Sequence, residues 1–143
     1  MTGPVANSIT DVGQLSPGQA YTVSVAVTPE KLSAFVGLTG DVAPIHTDPG
    51  FAAAKGHKAC LAHGLLVGSF YSTILGCHLP GPNTVISRIG LDMLRPVYVG
   101  DVLDYTVRVE RVSEAVGSVS LVLSAVNQRG ETVSHGTAVC VFR

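Results

Sequence analysis

Residues 64–78 read Gly64-Leu-Leu-Val-Gly68-Ser-Phe-Tyr-Ser72-Thr-Ile-Leu75-Gly76-Cys-His78, the longest apolar stretch in the chain. A helix of about 14 residues here spans about 21 Å at a rise of ~1.5 Å per residue. The segment is apolar or small nearly all round, which predicts burial rather than an amphipathic surface helix. Gly64, Gly68, Ser72 and Gly76 recur every four residues and leave a stripe almost without side chains. Such a stripe lets a helix lie close against a sheet. It also leaves room for a thin extended ligand along part of its length.

The flanks say what that helix packs on. Leu79-Pro-Gly-Pro-Asn83 breaks the chain,. Strand-like runs follow at about 84–95, 101–112, 118–127 and 131–142. In the third, Val119, Leu121, Leu123 and Ala125 alternate with Ser118, Ser120 and Ser124, the period of a strand with one buried face. Asn127-Gln-Arg-Gly130 reads as a hairpin turn. Upstream, Tyr21, Val23, Val25 and Val27 alternate with Thr22, Ser24 and Ala26 as another strand. Thr28-Pro29-Glu30 then supplies a hydroxyl cap, a proline at the first helical position and an acid in the first turn. Residues 1–16 are rich in Gly, Pro, Ser, Asn and Thr and are expected to form a flexible N-terminal arm, leaving 17–143 as one domain. The order is an α+β pattern, a curved antiparallel sheet on one long helix.

Only 13% of residues are charged and 46% are apolar, so some apolar surface is expected to be covered by a second subunit. A formal net charge of −1 without a basic run argues against nucleic acid. No stretch reaches the roughly 18 apolar residues of a membrane helix. Cys60, Cys77 and Cys140 make an odd count without CxxC spacing, which fits reduced thiols in a cytoplasmic protein. No charged region followed by an apolar core opens the chain, so no leader is expected.

Chemistry concentrates just upstream of the helix, in Gly40-Asp41-Val-Ala43-Pro44-Ile-His46-Thr-Asp48-Pro49. Pro44 removes a backbone donor and pushes Ala43 out of helical geometry, so an irregular loop is expected there. From such a loop Asp41 and His46 can point at a common centre, as general acid–base chemistry requires. The plain alternative makes them ordinary loop residues, with Asp48 capping a short helix from Pro49. A metal set drawn from Asp41, His46, Asp48 and His63 matches no standard ligand spacing. His63, just before a buried helix, is expected to satisfy a backbone group.

The wider stretch Phe35-Val-Gly-Leu-Thr-Gly-Asp41, Ala43-Pro-Ile-His46-Thr-Asp48-Pro-Gly-Phe51-Ala and Ala62-His63-Gly64-Leu65-Leu66 resembles the (R)-specific enoyl-CoA hydratase, or MaoC-like, family. Its pattern is Phe…Ser/Thr-Gly-Asp-x-Asn-Pro-x-His-x-Asp, followed by a His-Gly dipeptide opening a long apolar helix. Arg95-Pro-Val-Tyr-Val-Gly-Asp101 matches a further family segment before a strand. The resemblance covers roughly residues 17–142 and implies a single hot-dog fold, a curved antiparallel sheet wrapped around a long central helix. It implies that Asp41 and His46 hold the water that adds to a trans-2-enoyl thioester, giving an (R)-3-hydroxyacyl thioester, or perform the reverse dehydration. Gly64 would donate its N–H to the enolate-like oxygen. Ser72 and Leu75, placed on the inner part of the long helix, are expected to shape the acyl pocket, and core packing explains Leu75 equally well. No separate cofactor is implied, since coenzyme A or phosphopantetheine arrives as part of the substrate. The implied partners are an acyl-CoA or acyl carrier protein thioester and a second copy of the chain, in a homodimer or dimer of dimers. One position departs: Ala43 stands where the family has asparagine.

Two other readings remain. A hot-dog acyl-thioesterase shares the fold, but typically carries a carboxylate on or near the long helix. No Asp or Glu lies between Gly64 and His78. A non-catalytic or specialised dehydratase-like subunit is opposed by Asp41 and His46 and mildly favoured by Ala43.

Overall fold

Alternation in the sequence becomes register in the sheet. Tyr105, Val107 and Val109 stand opposite Ala125, Leu123 and Leu121, and all six are buried. A shift of one residue would turn that whole set to solvent. The computed structural model describes residues 9–143. Five strands, β1 (Ala20–Ala26), β2 (Thr84–Met93), β3 (Val102–Ser113), β4 (Ser118–Val126) and β5 (Thr132–Phe142), form one sheet in the order β1-β3-β4-β5-β2. Every neighbouring pair is antiparallel.

Helix α1 (Pro29–Thr39) starts as its sequence predicts, with the Thr28 hydroxyl accepting from the Lys31 N–H and Pro29 in the first turn. Two short helices follow, α2 (Pro44–Thr47) and α3 (Pro49–Ala54). The expected irregular loop is thus partly a helical turn. Ala43 is extended, at ψ 136°, but Pro44 then opens the turn that carries His46, because a proline at the first helical position gives up a donor the helix does not use.

The long helix α4 (Gly64–Cys77) packs on β1, β2 and β3. β1 and β2 are opposite edges of the sheet, so the sheet curls round the helix. Ile74 and Leu75 are fully buried in this core, each contributing about 1.5–3 kcal/mol of transfer free energy. The glycine stripe is a packing device where it meets β2. A β-carbon on Gly68 would lie 2.8 Å from Leu91 Cδ1, and one on Gly64 3.5 Å from Met93 Cγ. Two buried phenols fix the helix to the sheet. Tyr105 donates to the Val67 carbonyl at 2.6 Å, and the Tyr71 and Ser134 hydroxyls pair at 2.7 Å. Burial pushes the Tyr71 hydroxyl up to about 12 despite Ser134, and raises Tyr105 further, so both stay protonated.

Two expectations change. Residues 1–8 of the anticipated arm lie outside the described residues. At 9–16, however, Asp11 caps a 3-10 turn over Val12–Gln14, and Val12 and Leu15 are buried. Their apolar side chains find cover that the polar composition around them hides. Nor is α4 covered all round. Leu65 is 75% exposed, and Ser69 and Ser72 are exposed along the same side, because one sheet covers only part of a helix surface.

Candidate active site

Three segments meet at the N-terminus of α4. Gly40, in the left-handed region at φ 73°, ends α1 and turns the chain into Asp41. The Asp41 N–H donates to Thr39 Oγ1 at 3.2 Å, and Asp41 Oδ1 accepts from the Ala43 N–H at 3.1 Å. The hydroxyl of Thr47 donates back to the Val42 carbonyl at 3.1 Å. Backbone and threonine therefore fix the loop, which is how it keeps its shape with alanine at 43. Asp41 Oδ2 has no hydrogen-bond partner among the described residues.

His46 is half-buried, and its Nδ1 lies 2.8 Å from the Leu61 carbonyl oxygen. A carbonyl can only accept, so Nδ1 carries the hydrogen. The neutral ring then has its lone pair on Nε2. Leu61 is itself held, donating to the Ile45 carbonyl at 3.0 Å and bridging to Tyr98. Tyr98 in turn belongs to the 95–101 segment, which Asp101 organises. The Asp101 carboxylate, 3% exposed, accepts from the Tyr98 N–H at 3.0 Å and from Gln128 at 2.8 Å.

Gly64 is the first residue of α4, where the N–H has no acceptor within the helix and the dipole is positive. His46 and Gly64 both line a cavity of about 300 Å³ whose other walls include Val67, Met93, Val97 and Val133. An apolar cavity whose polar side chains are His46 and Arg95 suits an apolar ligand that carries a polar reacting group,.

One donor atom from each of Asp41, His46 and His63 lies within 4.8 Å of the other two. The predicted pair thus converges, at a spacing one water can bridge. The same trio is poorly shaped to hold a metal. Zinc needs lone pairs aimed at one point about 2.0 Å away. The two rings are stacked, with centroids 4.0 Å apart and 28° between planes, so their in-plane lone pairs run side by side. His63 Nε2 is moreover engaged, donating to the Asp41 carbonyl at 3.1 Å. Asp48 stands apart, its carboxylate capping α3 through the Gly50 and Phe51 N–H groups. The arrangement fits proton transfer better than metal ligation.

Neither Ser72 nor Leu75, expected along an acyl pocket, lines this cavity. Ser72 lies on the exposed side of α4 and Leu75 in the core. Leu75 is eleven residues from Gly64, roughly 16 Å along the helix. Val67 and Met93 line the cavity instead. The Leu61 carbonyl was also missed, since a backbone acceptor leaves no trace in residue identity.

A sheet curled round one helix, with its polar site at the helix N-terminus, defines the hot-dog fold. The chain matches the MaoC like domain family over residues 13–134 and belongs to that family. It is 32% identical over 125 residues to the (R)-specific enoyl-CoA hydratase of Aeromonas caviae, covering 87% of this chain and 93% of that protein. The solved structure of the (R)-hydratase from A. caviae involved in PHA biosynthesis superposes with a TM-score of 0.85 at 31% identity, covering 91% of this chain and 98% of that one. The unliganded R-hydratase of Pseudomonas aeruginosa gives 0.85 at 29% identity, over 93% of this chain and 85% of that one.

Proposed function

We propose that this protein is an enzyme that adds water to trans-2-enoyl thioesters to give (R)-3-hydroxyacyl thioesters, and runs the reverse dehydration. The observation that carries it is the meeting of His46 with Asp41, side-chain atoms within 4.8 Å of one another, with His46 at the wall of an apolar cavity that Gly64 also lines; the Nδ1 bond to Leu61 leaves the lone pair on Nε2. A water held between Asp41 and His46 loses a proton to Nε2 as its oxygen bonds to the β-carbon. Electrons of the double bond move toward the thioester oxygen, where the Gly64 N–H stabilises the charge. The proton gained by the pair is the one the α-carbon requires, so the site ends as it began. The family relationship and the naming of the A. caviae relative support the reaction class.

The substrate brings its own coenzyme A or phosphopantetheine, and no other cofactor is needed. A second copy of the chain completes the molecule. The edge strand β2 exposes Val85, Ile86 and Ile89, and Leu65 of α4 is exposed as well. An open apolar edge strand is a template for pairing. No helix of the described residues is long and apolar enough to cross a membrane, and we place the enzyme in the cytoplasm.

The test is the ultraviolet absorbance of the enoyl-thioester band with crotonyl-CoA. Its loss with wild type, giving (R)-3-hydroxybutyryl-CoA, is the expected result. Release of free CoA without hydration would instead make the protein a thioesterase. An unchanged band with every enoyl-CoA and carrier-bound enoyl substrate would leave a non-catalytic subunit.

A further inference from the structure

We propose that His63 is a positioning residue for this reaction, holding Asp41 and His46 in register with the N-terminus of α4. The inference rests on the hydratase reading above. His63 is 2% exposed. Its Nε2 donates to the Asp41 backbone carbonyl at 3.1 Å, across 22 residues of chain. One face of its ring stacks on His46 at 4.0 Å, and Phe35 packs against it at 4.8 Å, tilted by 49°. Its next neighbour in the chain is Gly64. One side chain therefore touches the elements that carry the acid, the base and the oxyanion donor.

The remaining nitrogen separates this role from packing. Nδ1 of His63 is buried with no hydrogen-bond partner among the described residues. A buried polar atom left unpaired is unfavourable. A phenylalanine would fill the same space, keep the stacking and leave no orphan atom. What imidazole adds is the Nε2–H bond to Asp41. Local cost tolerated at a site is the pattern expected where geometry serves function. His63 does not touch the reacting water in this scheme; it acts through Asp41 and His46.

The test compares wild type, His63→Phe and His63→Gln. Phenylalanine keeps the ring and loses the donor. Glutamine places an amide donor near the position of Nε2 and loses the ring. With an enoyl-CoA substrate, we expect His63→Phe to lower kcat about 10- to 100-fold, the scale of an ångström-level misplacement. KM should stay within about twofold, since uniform binding is untouched. His63→Gln should recover a large part of kcat. A second readout needs no activity. Amide hydrogen exchange at Ala43, whose N–H is held by Asp41 Oδ1, should quicken about tenfold in His63→Phe while β3 and β4 stay protected. Wild-type kcat in His63→Phe, or unchanged exchange at Ala43, would overturn the proposal. So would equal losses in both variants with faster exchange throughout the domain, which would make His63 a packing residue. A wild type inactive on every enoyl thioester would sink the hydratase reading instead, and the exchange measurement would still decide whether His63 holds the Asp41 loop.

Discussion

His46 donates from Nδ1 to the Leu61 carbonyl at 2.8 Å, and that one bond decides which nitrogen can accept a proton. It ties a side chain from α2 to the segment entering α4, and it leaves on Nε2 the lone pair that the proposed general-base role uses. The first prediction follows from it. His46→Gln and Asp41→Asn should each lower kcat for hydration of crotonyl-CoA by about 10²–10⁴, the usual worth of a positioned proton-transfer group. Both side chains lie on short surface segments, so the melting temperature should move little. Initial rates and thermal melts of the two variants check this; near-wild-type rates in either would remove that residue from the mechanism.

Gly64 can be tested by taking away one hydrogen. Proline is tolerated at the first position of a helix. The preceding residue, His63, already has φ −60° and ψ 133°, the geometry a following proline demands. Gly64→Pro should therefore fold and yet lack the N–H proposed as the oxyanion donor, with kcat reduced about 10²–10³-fold. Gly64→Ala is the control. Its β-carbon would sit at an ordinary 3.5 Å from Met93 Cγ and its N–H remains, so its rate should stay close to wild type. If both variants lose activity alike, the N–H is not the operative group.

The contrast between these residues and those the sequence misplaced is physical. Asp41 and His46 lie five residues apart, so a short loop keeps them near each other, and only their final placement draws on Leu61 and His63. The alternation of β4 is likewise local, and its register with β3 follows from one buried face. The bond from His63 to Asp41 spans 22 residues, and only the packing of α4 against the motif loop creates it. The exposed side of α4 was hidden because the helix is apolar or small nearly all round, and its serines read as part of the small-residue stripe rather than as a solvent face. Ser72 and Leu75 were assigned by their place on that helix. Their distance from Gly64 along the axis puts them beyond the cavity.

Asp101 supplies a pH-dependent test of the wall behind Leu61. Burial raises its carboxyl, but hydrogen bonds from Gln128 and the Tyr98 N–H, with the charges of Arg129 and Lys58, outweigh that and hold it below the usual value. A carboxyl depressed in the folded state stabilises the fold above its unfolded value of about 4. That contribution is lost as pH falls through the lower folded value. Asp101→Asn should cost about 1–3 kcal/mol near neutral pH. The gap between wild type and variant should narrow as pH drops through about 4 and below. Denaturant melts at neutral and acid pH measure it; a gap that widens in acid would contradict the assigned direction.

Gly136 and Gly37 predict opposite signs for the same substitution. A β-carbon on Gly136 would stand 2.0 Å from the Gly90 carbonyl oxygen, a backbone atom that cannot rotate away. Forcing β2 and β5 apart there should cost at least about 1–3 kcal/mol, as overpacking does. Gly37 lies in exposed α1 with nothing within 4 Å of an added β-carbon. Gly37→Ala should stabilise by about 0.5–1 kcal/mol by lowering the entropy of the unfolded chain. Melting temperatures of the two variants should bracket the wild type.

The proposed second subunit can be tested at Leu65 and Ile89. These side chains are 75% and 42% exposed, one on α4 and one on the edge strand β2, and together with Leu91 and Met93 they border one shallow apolar depression beside Gly64. A partner that covers this surface would desolvate any charge placed there, at a cost of several kcal/mol for an unpaired ion. Leu65→Glu and Ile89→Lys should each turn a dimer into a monomer in sedimentation velocity while leaving the far-ultraviolet circular dichroism unchanged. Because Leu65 adjoins Gly64 in sequence, the monomer is also expected to lose hydration activity. A wild type that sediments as a monomer would remove the second copy from the scheme, and a charged variant that remains dimeric would move the interface to another face.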